Sequence, residues 1–311
     1  MRHFLFIDPL EKLNLKKDSS LMLALTMQRE RLDTYIFFEE DFAVQNQTSP
    51  YLKCHSFQGS LKEDDCYVAD FRMTDTHHLE LKKTDVIHMR LDPPFDSRYL
   101  RYLWMLDHLV QEGYQVMNAP RGIMLFNEKL YAYRQEGAVP SYVGKSLQEA
   151  ERFLENSQAQ EFILKPLDLY SGIGVEKINR KGMIKRFQEK ITELEGPVVI
   201  QDFIEKVYEG EVRSLYFKQQ ELGTILKKPQ KGEFLTNIAQ GATFERYDLP
   251  AETRAKCEAI AKELAAYGVD WIAYDILGGV VTEVNITCPG LLVEVSYAYQ
   301  ENLGKKLIKM I

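Results

Sequence analysis

The stretch VDWIAYDILGGVVTEVNITCP (269–289) carries the densest chemical information in the chain. Two apolar runs flank Gly278-Gly279, the pattern of a β-hairpin closed by a two-residue turn that needs positive φ. Asp275 then lies on the first strand, and Glu283 and Asn285 on the second. Glu283 and Asn285 are two residues apart and so project from one face. Carboxylate and amide oxygens are hard donors suited to Mg2+, which keeps waters and is usually shared with substrate phosphates. The alternative is a hairpin with a solvated acidic face; against it, charged groups inside apolar strands need a partner.

Upstream, EVRSLYF (211–217) and ELGTILKK (221–228) read as a second hairpin. A loop with Gly232 and Gly241 and a helix over 250–267 follow it, and a terminal helix closes the chain. Lys165 ends the strand EFILKPL (161–167) and is followed by DLYSGIGV (168–175), a turn whose glycines let backbone N–H groups approach an anion. No GxxxxGK[ST] is present, and no GxGxxG follows the first strand, so a Walker P-loop and a dinucleotide-type oxidoreductase are both disfavoured. Around Lys165 the pattern predicts helices near 122–135, at 146–156 and at 180–194, and a strand PVVIQDF (197–203). Lys129 lies on the first of these helices, where a lysine is ordinarily just solvated.

The amino-terminal part alternates differently. FLFI (4–7), a helix over 19–32 and TYIFF (34–38) form a β-loop-α-β opening, with Ser19 or Ser20 as candidate helix caps. VIHM (86–89), the amphipathic RYLRYLWMLDHLVQEG (98–113) and YQVMN (114–118) repeat the theme, so residues 1 to about 120 read as an α/β domain with a mostly parallel sheet. The segment 49–83 reads as an inserted hairpin or meander.

Composition bounds the function. At 311 residues the chain holds about two domains by ordinary domain size. Its 39 Lys and Arg against 46 Asp and Glu, without a dense basic run, make nucleic acid a poor partner. The amino terminus lacks the run of about 7 to 15 apolar residues of a signal peptide. No uncharged apolar run reaches the roughly 18 residues of a membrane span, so a cytoplasmic protein is expected. Cys54, Cys66, Cys257 and Cys288 form no close pair and read as ordinary thiols. All six histidines fall between His3 and His108, which sets aside a hydrolase triad or zinc site elsewhere in the chain.

The order of segments resembles the prokaryotic glutathione synthetase family of the ATP-grasp superfamily from end to end. The similar segments are DPLEKLNLKKDSS (8–20), MRLDPPFD (89–96), NAP (118–120), NEKLYA (127–132), ILKPLD (163–168), GEVR (210–213), GEFLTNIAQGA (232–242) and DILGGVVTEVNITCP (275–289). The resemblance implies an α/β protein with the ATP-grasp fold. An amino-terminal Rossmann-like (pre-ATP-grasp) substrate-binding domain would span 1–122, a small α+β lid 123–200 and a carboxy-terminal α+β domain 201–311.

It further implies a ligase that joins γ-glutamylcysteine to glycine through an acyl-phosphate, in a homodimer or homotetramer formed through the amino-terminal domain. Lys129 and Lys165 would hold ATP phosphates under the loop of Gly172 and Gly174. The hinge Gln201, Asp202, Phe203 and Ile204 would receive adenine, and Glu211 the ribose. Asp275, Glu283 and Asn285 would hold Mg2+, with Mn2+ as an alternative. Arg213 and Lys165 would act on the transferring phosphoryl group. Lys17, Asp18, Ser19, Arg90, Lys227 and Asn237 fall on the substrate side, although Ser19 is equally readable as a helix cap.

The departures cluster on that side. Lys227 and Leu235 stand where the family has arginines, and CPGLLVEV (288–295) replaces the family's SPT. Pro289-Gly290-Leu291 looks more like the ligases that add glutamate to peptide or protein carboxyl ends. An arginine forks a carboxylate, a lysine offers a point charge and a leucine offers nothing. Two other readings therefore stand beside glutathione synthesis: a ligase with a different amino-acid or peptide substrate, and an ATP-binding protein without turnover.

Overall fold

The computed structural model describes residues 1–170, 172–238 and 241–311. Three sheets organise them. The first contains β1 (Arg2–Ile7), β2 (Asp33–Phe37), β3 (Tyr51–Leu61), β4 (Val68–Glu80), β5 (Val86–Arg90) and β6 (Gln115–Met117), in the order β4-β3-β2-β1-β5-β6. The strands β2, β1, β5 and β6 run parallel, and the hairpin β3–β4 extends the edge antiparallel. Because side chains alternate across a strand, Phe4 and Phe6 face α2 (Ser97–Gln111) while Leu5 and Ile7 face α1 (Ser19–Arg29).

Helix α1 has almost no polar face: every residue from Ser19 to Met27 is buried. It is covered on the far side by α8 (Leu292–Tyr299) and α9 (Leu303–Ile308), so its core runs without a break into the carboxy-terminal sheet. The cap of α1 is Asp18, whose carboxylate accepts the Ser20 and Leu21 N–H groups at 2.9 and 2.8 Å; Ser19 and Ser20, the expected caps, lie inside the helix.

Two short helices, α3 (Pro120–Leu125) and α4 (Glu128–Tyr133), replace the single helix expected near 122–135. Asn127 starts the second by accepting the Lys129 and Leu130 N–H groups, a local bond that competes with helix continuation. The second sheet has β7 (Ser141–Gly144), β8 (Glu161–Pro166), β9 (Glu176–Asn179) and β10 (Val198–Asp202) in the antiparallel order β7-β10-β8-β9. Helices α5 (Leu147–Asn156) and α6 (Arg180–Glu193) cover one face through Leu154, Phe162, Met183 and Phe187.

The third sheet is antiparallel, β13 (Thr243–Arg246), β12 (Gln220–Lys228), β11 (Glu211–Phe217), β14 (Trp271–Leu277) and β15 (Val280–Asn285), in that spatial order. Helix α7 (Ala251–Ala265) packs on the face carrying Tyr216, Ile272, Tyr274 and Val284. The expected terminal helix is two pieces, α8 and α9, separated at Gln300, which has φ 52°. The four cysteines are free, and no helix among the described residues is long and apolar enough to cross a membrane.

Asn118 fastens the first sheet to the third. Its amide donates to the Trp271 and Ile286 carbonyls at 2.7 and 3.0 Å and accepts the Asp270 and Trp271 N–H groups at 3.0 and 2.8 Å. Asn118→Ala strands several of these backbone groups away from water and is expected to cost about 3 kcal/mol of unfolding free energy. Urea denaturation measures it, and a loss under about 1 kcal/mol would show that solvent replaces the amide.

Candidate active site

A cavity of about 480 Å3 opens where the three sheets meet. Lys17, Asp18, Ser19 and Arg90 line the end toward the first sheet. Lys129, Lys165, Gly172 and the run Gln201 to Ile204 line the side toward the second. Glu211, Arg213, Lys227, Asn237, Asp275, Glu283 and Asn285 form the third wall. Gly174 lies just outside, at φ 72°, with the Pro166 ring against it. Ser171 of the glycine-bearing turn and Ala239 and Gln240 of the 232–242 loop lie outside the described residues.

The third wall follows from strand register. Glu211 sits opposite Lys227, Arg213 opposite Asp275, and Asp275 opposite Glu283. A bulge at Thr282 separates the Asp275–Glu283 and Ile276–Val281 pairs. The extra residue lets Val281 join the α7 core while Glu283 faces the cavity, a re-aiming that simple alternation would forbid. Thr282 donates its hydroxyl to the Asp275 carbonyl at 3.1 Å.

The resulting charges are largely satisfied by one another. The Arg213 guanidinium forks the Asp275 carboxylate with bonds of 3.0 and 2.8 Å. Lys227 donates to Glu211 at 2.6 Å and to Asp275 at 3.1 Å, and Asn285 donates its amide to Asp275 at 3.1 Å. Lys129 pairs with Glu283 at 3.0 Å and bonds the Leu169 carbonyl at 2.7 Å, tying α4 to the glycine-bearing turn. Lys165 donates to Gln201 at 3.0 Å.

Protonation follows these contacts. Burial drives the Lys165 ammonium down to about 8 and Lys129 adds repulsion, against the attraction of Glu283, Glu211 and Asp275. Burial also opposes the charge on Lys227, but Asp275 and Glu211 outweigh it and its pKa is raised. Burial disfavours the Asp275 anion, yet Arg213 and Lys227 outweigh that and hold it below the ordinary carboxylate range.

Oxygen donors from Asp275, Glu283 and Asn285 share one face, a set that suits a hard divalent cation. Both carboxylates are held by ammonium or guanidinium groups, so positive charge is what this position demands, and the residues fit Mg2+. Among the described residues no group of three or more His, Cys, Asp or Glu is placed to hold a metal ion, so the set here depends on the Asn285 oxygen beside two carboxylates.

Several wall residues carried little sequence signal. Glu128 accepts the Ile286 and Thr287 N–H groups and the Thr287 hydroxyl, which fixes α4 to the end of β15 and so sets Lys129 beside Glu283. Its adjacency to Lys129 was the only clue. Thr236 bonds Glu211 from the 232–242 loop, and Leu235 packs toward Gly172. Ser19 accepts the Leu292 N–H at 3.0 Å and so caps α8 rather than its own helix.

Lys227→Met leaves Glu211 and Asp275 short of a buried cation and is expected to destabilise the protein by about 3 kcal/mol, whereas Lys227→Arg retains most of the stability. Chemical denaturation of both variants checks this; equal losses would show that side-chain shape, not charge, matters there.

Two family models match the chain. The prokaryotic glutathione synthetase N-terminal domain matches residues 1–124, and the prokaryotic glutathione synthetase ATP-grasp domain matches residues 128–300. A glutathione synthetase of Parasynechococcus marenigrum is 30% identical, covering 100% of this chain and 99% of that protein. One of Vibrio cholerae is 28% identical over 98% of this chain and 95% of its own length. Among solved structures, the D-cycloserine synthetase DcsG superposes with a TM-score of 0.70 at 14% identity, covering 99% of both chains. The ATP-grasp ligase PsnB with its minimal precursor gives 0.62 at 15% identity, covering 99% of this chain and 98% of PsnB. These likenesses establish the ATP-grasp fold.

Proposed function

The chain belongs to the prokaryotic glutathione synthetase family of ATP-grasp ligases, and from that premise we propose that it joins the carboxylate of γ-glutamylcysteine to the amine of glycine. One ATP is consumed, and ADP and phosphate are released. The observation that carries this reading is the single cavity onto which Lys129, Lys165, Glu211, Arg213, Asp275, Glu283 and Asn285 converge from one side and Lys17, Asp18 and Arg90 from the other.

The chemistry opposes two anions. A carboxylate oxygen attacks the γ-phosphorus, the bond to the β-phosphate oxygen breaks, and ADP leaves with that electron pair. The amine then attacks the acyl carbon and inorganic phosphate departs. Catalysis is positioning plus charge neutralisation. Lys129 and Lys165 hold the phosphates, Glu211 holds the ribose hydroxyls, and the backbone of Gln201 to Ile204 lines the adenine pocket. Arg213 stands beside the phosphoryl group and later the oxyanion. Asp275, Glu283 and Asn285 would hold Mg2+, which supplies Lewis-acid neutralisation of phosphate charge. A neutral amine needs no histidine base, in keeping with the lack of histidine beyond His108.

A ligase with a changed substrate is the second reading, favoured by Lys227. Its ammonium is already taken by Glu211 and Asp275, so it does not offer the carboxylate fork that arginine gives elsewhere in the family.

The test is ADP release with ATP, Mg2+ and γ-glutamylcysteine, with and without glycine, and the product mass. Glycine-dependent ADP and a glutathione mass are expected, and Glu283→Gln should abolish both while leaving the fold intact. ATP binding without turnover on these substrates would move the assignment to another amino acid or peptide.

Lys165 adds a pH signature. Its free-state pKa of about 8 should rise when phosphates neutralise its surroundings, so ATP binding takes up a proton above pH 8 and little below pH 7. Calorimetry in buffers of different ionisation enthalpy measures the uptake; none at about pH 9 would place the phosphates away from Lys165.

A further inference from the structure

At the amino-terminal end of the cavity two buried groups of opposite charge each keep one atom without a partner. Arg90 donates Nε to the Ser20 hydroxyl and Nη2 to the Pro289 carbonyl, both at 3.0 Å, and its guanidinium stacks over Trp271 at 4.1 Å. Its Nη1 is buried and unbonded. Glu294 lies in the first turn of α8 and is only 2% exposed. Its carboxylate takes its own backbone N–H, and Oε2 is left buried without a hydrogen-bond partner. Both residues line the cavity.

Neither group is idle packing. A buried unpaired carboxylate oxygen or guanidinium N–H costs free energy that an apolar residue would avoid. Helix α8 is held in place by another contact, the Ser19 hydroxyl on the Leu292 N–H, so Glu294 is not needed as its cap. The charged groups around Glu294 are Lys17, Arg213 and Asp18, with the Tyr67 hydroxyl also near, and none of them donates to Oε2. A ligand that satisfies both vacancies presents an acceptor to Arg90 and a donor to Glu294. An α-amino acid head, carboxylate beside ammonium, has that chemistry.

We propose that Glu294 is a specificity-determining residue that binds the α-ammonium of the carboxylate substrate's amino-acid head, while Arg90 takes the adjoining carboxylate. The assignment rests on the ligase reading above and deepens it. Two unrelated elements, β5 and the first turn of α8, which follows β15, thus grip one end of the substrate. Its reacting carboxyl reaches toward Arg213 and Lys165.

The experiment compares γ-glutamylcysteine with glutarylcysteine, the same acid without the α-amino group, as substrates for ADP release by wild type and Glu294→Gln. Wild type should prefer the amino-bearing substrate by roughly 10- to 100-fold in kcat/KM, the value of a hydrogen bond to a charged group. In E294Q that ratio should fall to within about 3-fold, with the KM for ATP and the melting midpoint near wild type. A structural role would lower both substrates alike and leave the ratio intact, which overturns the proposal. An unchanged ratio with a raised KM for glycine also overturns it, by giving Glu294 to the incoming amine. Should E294Q not fold, Glu294→Asp carries the test: a shorter carboxylate should keep part of the ratio, and a full wild-type ratio with weakened use of both substrates counts against the assignment. A wild type inert toward γ-glutamylcysteine, with ATP still bound, overturns the γ-glutamylcysteine reading of the ligase and this assignment with it.

Discussion

The structure depends on holding charge away from water on one face of a sheet. Lys129, Lys165, Arg213 and Lys227 meet Glu211, Asp275 and Glu283 in a cavity wall where Lys227, Lys129 and Asp275 are all nearly inaccessible. Isolated charges there would cost far more than the fold can offset, so each must find a counter-ion. Cross-strand register provides one: Arg213 opposite Asp275, Lys227 opposite Glu211. Counting Glu128, which lines the same wall, four cations face four acidic side chains, so the protein's own charges nearly balance there. A site of this kind is built in a state of substitution, with lysines and an arginine standing near the carboxylates that the proposed reaction would use for a metal.

That arrangement in turn requires rigid seams between the sheets. Asn118 links the first sheet to the third, Glu128 links α4 to the end of β15, and Ser19 links α1 to α8. Each seam uses a side chain to satisfy backbone groups at the end of an element, where the element itself cannot. The segment after β8 of the second sheet meets the first-sheet unit through the Phe95 N–H on the Asp168 carbonyl at 3.3 Å. The firm seams therefore fix the relation between the substrate end and the acidic wall. The glycine-bearing turn and the 232–242 loop meet through Leu235 and Gly172 across the mouth.

Much of this was legible in the sequence because strand alternation is a short-range rule. The period of two was enough to put Glu283 and Asn285 on one side of their strand, and both glycines of the Gly278-Gly279 turn do have positive φ. The same rule could not see the bulge at Thr282, which is needed to reconcile a core-facing Val281 with a cavity-facing Glu283. Helix ends were less legible. Asp18 outcompetes Ser19 and Ser20 as a cap because its carboxylate reaches two N–H groups at once, and Asn127 interrupts what periodicity alone reads as one helix. Glu128, Thr236 and Glu294 were invisible for a different reason: their partners are distant in sequence, and no local pattern marks a buried carboxylate as paired or unpaired.

The substrate-side departures acquire a physical meaning from these contacts. Lysine at 227 is not a weakened copy of an arginine aimed at substrate, because its ammonium is spent on two carboxylates of the wall. A guanidinium there would fork one carboxylate in a plane, whereas the compact ammonium bridges two that lie diagonally on neighbouring strands. Leucine at 235 contributes packing over the glycine turn instead of a charge. With those two positions committed to the protein itself, the buried charges left with open valences at the substrate end are Arg90 and Glu294 among the described residues that line the cavity. On the proposed assignment, recognition rests at this end of the cavity, where the seams of Asn118 and Ser19 hold the two helices and the sheets together.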